Sequence, residues 1–219
     1  MNDYFKDWIR VVDINILSNI MCNLKKVNRN LLCPHPDNIF KAFELCDYNN
    51  LKVVILGQDP YPQKGIATGI AFGNSIDEIS PSLNILKEAC IDFTIPHNSI
   101  IFDNSLESWC KQGVLLLNSA LTCELNKPGS HTMLWRPFIK KLLINLSYRE
   151  SGLVYILLGD NAKTFEPYIN NKYNWVLKEK HPSYYARMNK LMPSTIFKET
   201  NKILKDNYNL KINWYEEND

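Results

Sequence analysis

The sequence predicts an α/β fold in one domain, residues 1–219, with a central four-stranded parallel twisted sheet and helices on both faces. Three observations predict it. Four short apolar runs, at 53–56, 114–117, 154–158 and more weakly 174–177, are nearly unbroken, as strands covered on both faces are. Patterns of helical spacing fill the gaps between them, and strand–helix alternation closes through right-handed crossovers into a parallel sheet. No repeat, low-complexity tract or linker divides the chain.

The elements follow in order. Residues 4–29 carry Ile9, Val12, Ile14, Ile16, Leu17, Ile20, Met21 and Leu24 at helical spacing and end in Lys25, Lys26 and Arg29, which predicts one or two helices with a basic carboxyl end. Residues 1–50 are read as a helical N-terminal part packed on the core. Cys33-Pro34-His35-Pro36 is a stiff connection with His35 as a loop residue, and Asp37 is read as the cap of a short helix through Phe40 and Phe43.

The first strand stops at Gly57 and hands over to Gln58-Asp59-Pro60-Tyr61-Pro62. Prolines at 60 and 62 hold Asp59 and Tyr61 extended. From this stretch alone, Asp59 capping a turn and Asp59 serving a site at the strand's carboxyl end are equal readings. The glycine-rich segment 65–75 lacks the spacing of a phosphate loop or dinucleotide fingerprint. Ser80-Pro81-Ser82 caps a helix through Leu83, Ile85, Leu86 and Ala89, and a helix over 106–112 ends at Gly113.

The later strands repeat the design of the first, ending in Asn118, in Gly159-Asp160 and in Lys180-His181-Pro182-Ser183. Further helices are predicted around 134–146, 162–169 and 193–204. Four strand ends therefore bring Asp59, Asn118, Asp160 and His181 to one edge. Each alone is commonly a cap or turn residue. Their recurrence at strand ends favours a polar site that reads a planar ligand.

Composition narrows the partners. A hydrophobic fraction of 45%, a charged fraction of 22% and a net charge of +2 describe a globular protein whose nucleic-acid contacts, if it makes them, come from a local patch. The six cysteines contain no Cys-x-x-Cys pair and have no clustered histidines, so they are read as reduced thiols of a cytoplasmic protein. No signal segment or membrane span is read in the sequence.

Gly57-Gln58-Asp59-Pro60-Tyr61, Gly69-Ile70-Ala71-Phe72, Ser80-Pro81-Ser82-Leu83, Leu106-Glu107-Ser108-Trp109, the run from Gln112 to Asn118, and His181-Pro182-Ser183 resemble the successive motifs of family 1 uracil-DNA glycosylases. They occur in that family's order from about Pro36 to Asn213-Trp214. The resemblance implies an enzyme that extrudes deoxyuridine and hydrolyses the bond between base and sugar in base excision repair. Asp59 and His181 would then be catalytic, the first orienting water and stabilising the sugar cation, the second donating to a uracil carbonyl. Gln58, Tyr61, Phe72 and Asn118 would bind the base: Asn118 pairs with it, Phe72 stacks on it, and Tyr61 walls off the position of thymine's methyl.

Pro81, Ser82, Gly159, Asp160, Ser183 and Tyr185 would meet DNA, with local charge from Lys178, Lys180, Arg187 and Lys190. The implied partners are single- and double-stranded DNA containing uracil and a protein inhibitor of such enzymes, acting on a monomer with no metal and no cofactor. The chain departs from the family at three points: Pro62 stands where a histidine is usual, Asp160 where a serine is usual, and Tyr184-Tyr185 where Pro-Leu is usual, so that Tyr185 takes the place of a leucine wedge. Two alternatives accompany this reading: a non-catalytic DNA-binding or replication-accessory protein keeping the fold, and a superfamily enzyme acting on another damaged base.

Overall fold

A computed structural model of the chain describes residues 5–75, 79–91 and 99–218. Its centre is a parallel sheet of β1 (Val53–Gly57), β2 (Val114–Asn118), β3 (Val154–Leu158) and β4 (Trp175–Glu179) in the spatial order β2-β1-β3-β4. Every residue of β1, β2 and β3 is buried, as the unbroken apolar runs require. The edge strand β4 is only partly buried and carries Lys178 and Glu179, which keeps its open side from pairing with another chain.

Register decides what meets at the carboxyl end. Gly57 lies opposite Asn118, and Leu158 opposite Glu179. The chain leaves β1 for β2 on one side and then crosses to β3 on the other, so the order reverses around β1. Ligands gather at such a reversal.

Helices flank the sheet on both faces. α1 (Ile14–Leu24) is capped by Asp13, whose Oδ1 accepts from the amides of Asn15 and Ile16. It packs on α5 (Thr132–Arg149), whose buried face includes Trp135, Phe138, Leu142 and Leu146. Between them come α2 (Lys41–Leu45), α3 (Pro81–Cys90, capped by Ser80) and α4 (Glu107–Lys111). After the last two sheet strands come α6 (Asp160–Lys163), α7 (Pro182–Met188) and α8 (Thr195–Tyr208). A single cluster of buried side chains runs from Phe5 to Trp214, so residues 5–50 share the core of the sheet domain.

The sequence expectations need four corrections. The N-terminal part also contains a strand, Leu32–Cys33, paired with Cys123–Glu124, and Ile100–Ile101 pairs with Glu216–Glu217; two-residue ladders have no periodicity to read. Asp37 does not cap the helix through Phe43: α2 begins after Phe40 with no side-chain cap, and Asp37 lies within a 3-10 turn, Pro36–Asn38, that His35 caps, its Nδ1 accepting from the Asp37 amide. The helix predicted over 162–169 breaks after Lys163, because Pro167 lacks the N–H that would bond to the Lys163 carbonyl and its ring would strike that carbonyl. Helix α7 lies outside the sequence expectations, although Pro182 in its first turn after a capping His181 is a start signal.

Two glycines at strand ends shape the space above the sheet. A methyl on Gly57 would stand 2.6 Å from Asn118 Oδ1 and 2.9 Å from the Phe72 ring, and one on Gly159 would stand 2.7 Å from His181 Cβ. Gly159 also has φ +91°. Gly113 has φ +86°, and a methyl there would collide with the Asn50 carbonyl. Gly65 has φ +80° but open space around it. Gly113→Ala and Gly159→Ala are therefore expected to cost about 1–3 kcal/mol each, against roughly 1 kcal/mol for Gly65→Ala, where only backbone strain acts. Urea unfolding midpoints check this ranking, and equal losses at all three positions would contradict it.

Candidate active site

A pocket of 130 Å³ opens at the carboxyl end of β1 and β2, with Asp59, Tyr61, Phe72, Asn118 and His181 in its wall. Pro60, Pro62, Ala67, Gly69, Ile70, Ser82 and Leu121 complete it. The turn that carries Asp59 is stitched to the segment after β2. The Gly57 carbonyl accepts from the Ser119 amide at 3.1 Å, and the Gln58 carbonyl accepts from the Ala120 amide at 3.0 Å and from Ser119 Oγ at 2.7 Å.

A second loop grips the same turn. The amide of Gly129 donates to Asp59 Oδ2 at 2.6 Å, and the amide of Asn126 donates to the Pro62 carbonyl at 2.8 Å. Burial raises the Asp59 carboxyl from its ordinary 3.8, while the Gly129 hydrogen bond pulls it back down. The loop is itself anchored from beneath. Trp135 Nε1 donates to Thr122 Oγ1 at 2.7 Å, and that hydroxyl lies 2.8 Å from Nδ1 of the buried His131.

His181 caps α7. Its Nδ1 accepts from the Ser183 amide at 3.2 Å and lies 2.8 Å from Ser183 Oγ. Burial, reinforced by the positive charge of Arg187, lowers its pKa to about 4. The ring is therefore neutral at ordinary pH. Because Nδ1 accepts, the proton sits on Nε2.

Tyr61 is fixed at its hydroxyl, which donates to the Phe72 carbonyl at 2.9 Å and lies 2.6 Å from Ser80 Oγ. Burial pushes this phenol up to about 12, so it stays neutral. Phe72 adopts φ +67°, and its ring lies beside His181 with centroids 5.5 Å apart. Asn118 is 8% exposed, yet its amide forms no hydrogen bond among the described residues. A nearly buried donor and acceptor left open toward a pocket is an arrangement that a ligand completes.

The sequence-predicted residues thus divide. Asp59, Tyr61, Phe72, Ser82, Asn118 and His181 come together in the pocket, and Ser183 and Gly159 support His181 from behind. Gln58 is not in the pocket wall, and its hydrogen bonds to the segment after β2 run through its backbone carbonyl. Pro81 is exposed in the first turn of α3.

Asp160 does not converge with the other strand-end residues. Its side chain is 99% exposed, with Lys163 at 3.4 Å, because it opens a helix whose first turn faces solvent. Tyr185 does not project as a wedge: it is 9% exposed, and its hydroxyl donates to Glu179 Oε1 at 2.6 Å, since a buried phenol takes a partner. Of the four basic residues, Lys178 pairs with Glu166 at 2.8 Å and Lys180 lies 4.1 Å over the Tyr184 ring, while Arg187 and Lys190 are exposed. Sequence reasoning missed Gly129, Leu121 and the role of Ser80 behind Tyr61. Only Ser80 carried a signal, as a helix cap.

Residues 43–205 match the family model of the uracil DNA glycosylase superfamily. The chain is 40% identical over 203 residues to the uracil-DNA glycosylase of Buchnera aphidicola, covering 90% of each, and 41% identical over 196 residues to that of Campylobacter jejuni, covering 87% of this chain and 83% of the relative. Among solved structures, a variant of the mimivirus UNG in complex with UGI superposes with a TM-score of 0.77 at 25% identity, covering 91% of this chain and 81% of that one. Ordered motifs, sheet topology and these matches agree: the chain belongs to the uracil DNA glycosylase superfamily.

Proposed function

We propose that the chain excises uracil from DNA, with Asp59 and His181 acting on opposite sides of the glycosidic bond of an extruded deoxyuridine. The observation that carries this reading is the open amide of Asn118, facing a pocket that also holds a half-buried carboxylate and an imidazole with its proton on Nε2. An amide offers one acceptor and one donor, which match the ring N–H and the adjacent carbonyl of uracil. Cytosine presents the reverse pair.

Phe72 stacks on the base, and Tyr61, held at its hydroxyl, occupies the side where thymine carries its methyl. As the bond lengthens, positive charge grows on the sugar and negative charge on the base. Asp59 faces the sugar, stabilises the cation and orients the attacking water. His181 donates from Nε2 to a base carbonyl, and as a neutral donor it needs no proton exchange with solvent to do so. The bond from the sugar carbon to the base nitrogen breaks as water adds to that carbon, Asp59 takes the water's proton, and the uracil anion held by His181 is neutralised by a proton from solvent after it leaves. The small helices around Ser82 and His181 meet the DNA backbone. The relative solved in complex with UGI supports an inhibitor protein as a partner for this chain as well.

Asp59→Asn is expected to lower the single-turnover rate of uracil release by about 10²–10⁴-fold, the usual range for a lost acid–base group. His181→Ala falls in the same range, and His181→Gln, which keeps an N–H, recovers part of it. Wild-type rates on either variant would remove these roles. The pH profile follows from the directions of the shifts: burial raises Asp59 above 3.8, and His181 protonates only at about 4, so both losses lie on the acid side. The rate should fall only on the acid side, and a limb at the ordinary histidine value of 6.5 that disappears in His181→Gln would show His181 titrating normally. Tyr61→Ala should begin to release thymine from normal DNA while Tyr61→Phe, which keeps the ring, should not. Unchanged thymine exclusion in Tyr61→Ala would take Tyr61 out of the wall.

A further inference from the structure

A second cavity shares a wall with the uracil pocket and belongs to none of the loops assigned to DNA above. It is a groove of 340 Å³ between the N-terminal segment around residues 29–41 and the glycine-rich segment around 63–75. Ala67 lines both cavities. Gly69 in the pocket wall packs directly on the Asn38 carbonyl, and Asn38 lines the groove, so the partition is little more than one layer of backbone.

The chemistry of the groove is consistent along its length. Its rim holds two exposed cations, Arg29 and Lys64. Arg29 is 72% exposed and its closest carboxylate, Asp37, is 3.6 Å away and itself 74% exposed. Lys64 has no ion-pair partner among the described residues. A third cation, Lys41, is held by Glu107 and is not available to a ligand. Asn30, Asn38 and Gln63 line the groove along with the cations, and Leu32, Pro34 and Leu125 add apolar lining. Exposed cations for phosphate, amides for base edges and an apolar surface for sugar and base are what a single nucleic-acid strand requires.

We propose that this groove binds the DNA strand on one side of the extruded nucleotide, as a subsite separate from the loops around Ser82 and Ser183. The inference rests on the glycosylase reading, because it is continuity with the uracil pocket that makes the occupant DNA. It also gives a chain with a net charge of only +2 a local positive patch beside its pocket. Binding there places phosphates against Arg29 and Lys64 and lengthens the footprint beyond the flipped base.

The test compares two single-stranded substrates with one deoxyuridine each, a trinucleotide and a longer strand, across a range of salt concentrations. In the wild type, kcat/KM rises from the short to the long substrate. In Arg29→Ala, Lys64→Ala and the double variant that long-to-short ratio falls, by several-fold in the double variant. The logarithmic salt slope also becomes shallower, by about 0.7 for each phosphate that the variant no longer neutralises. Lys64→Glu lowers the ratio further. An unchanged ratio and an unchanged salt slope in the double variant would overturn the proposal. If the wild type releases no uracil from any substrate, the glycosylase reading fails instead, and the groove is then judged by fluorescence anisotropy of the same strands: equal affinity of wild type and double variant for the longer strand sinks it, and a weaker, less salt-sensitive double variant upholds it.

Discussion

Burial at the end of β1 works against the charge on Asp59, since taking a carboxylate out of water favours its neutral form. A neutral acid would neither stabilise a sugar cation nor orient a water. The opposing force is one backbone N–H, that of Gly129, which lies 70 residues away in the chain. The one contact that favours the charged form of Asp59 therefore depends on where the loop before α5 is held. That loop is pinned on one side by the Leu32–Cys33 ladder and by the Leu125 amide on the Leu31 carbonyl, and from beneath by Trp135, Thr122 and His131. The N-terminal segment has no group in the pocket. It bears on the pocket all the same, by fixing the loop whose amide bonds to Asp59.

The other polar groups of the pocket follow the opposite rule and are left without partners or without charge. The open amide of Asn118 keeps a little contact with water and offers a donor and an acceptor to a base with the right edge. His181 is buried neutral, so below pH 6.5 the unfolded chain takes up a proton that the folded chain refuses until about 4, and that contribution to stability is lost as pH falls through this window. Both features serve binding, and the neutral imidazole costs stability only as pH falls below 6.5. They are tolerated because glycines at 57 and 159 let the flanking groups pack onto backbone, without a side chain in the way.

Which parts of this were legible in the sequence depends on the range of the interaction responsible. The sheet was readable because an unbroken apolar run is a local signal, and Asp59, Asn118 and His181 stood out because each follows such a run. Gly129 was not readable, because its contact is made across the fold and no local pattern announces it. Tyr185 and Asp160 show the converse. Their positions in the motifs are clear, but whether a side chain on a short helix turns inward or outward is set by a partner: Glu179 draws the Tyr185 hydroxyl in, and nothing in the pocket draws Asp160.

Pro62 joins these arguments. A proline there offers no side-chain hydrogen bond to the turn, and its one polar contribution is a carbonyl that accepts from Asn126. What it adds is stiffness. With φ fixed at both Pro60 and Pro62, Tyr61 between them loses little freedom on folding, an advantage of about 0.4–1 kcal/mol per proline where the native conformation is compatible. The Tyr61 ring is then placed by backbone restriction on both sides and by two hydroxyl contacts at its far end. The same loop that accepts Pro62 through Asn126 holds Asp59 through Gly129, so a turn without a polar side chain at position 62 is still bound at both of its ends. The turn from Asp59 to Pro62 is held in place by backbone amides of a neighbouring loop.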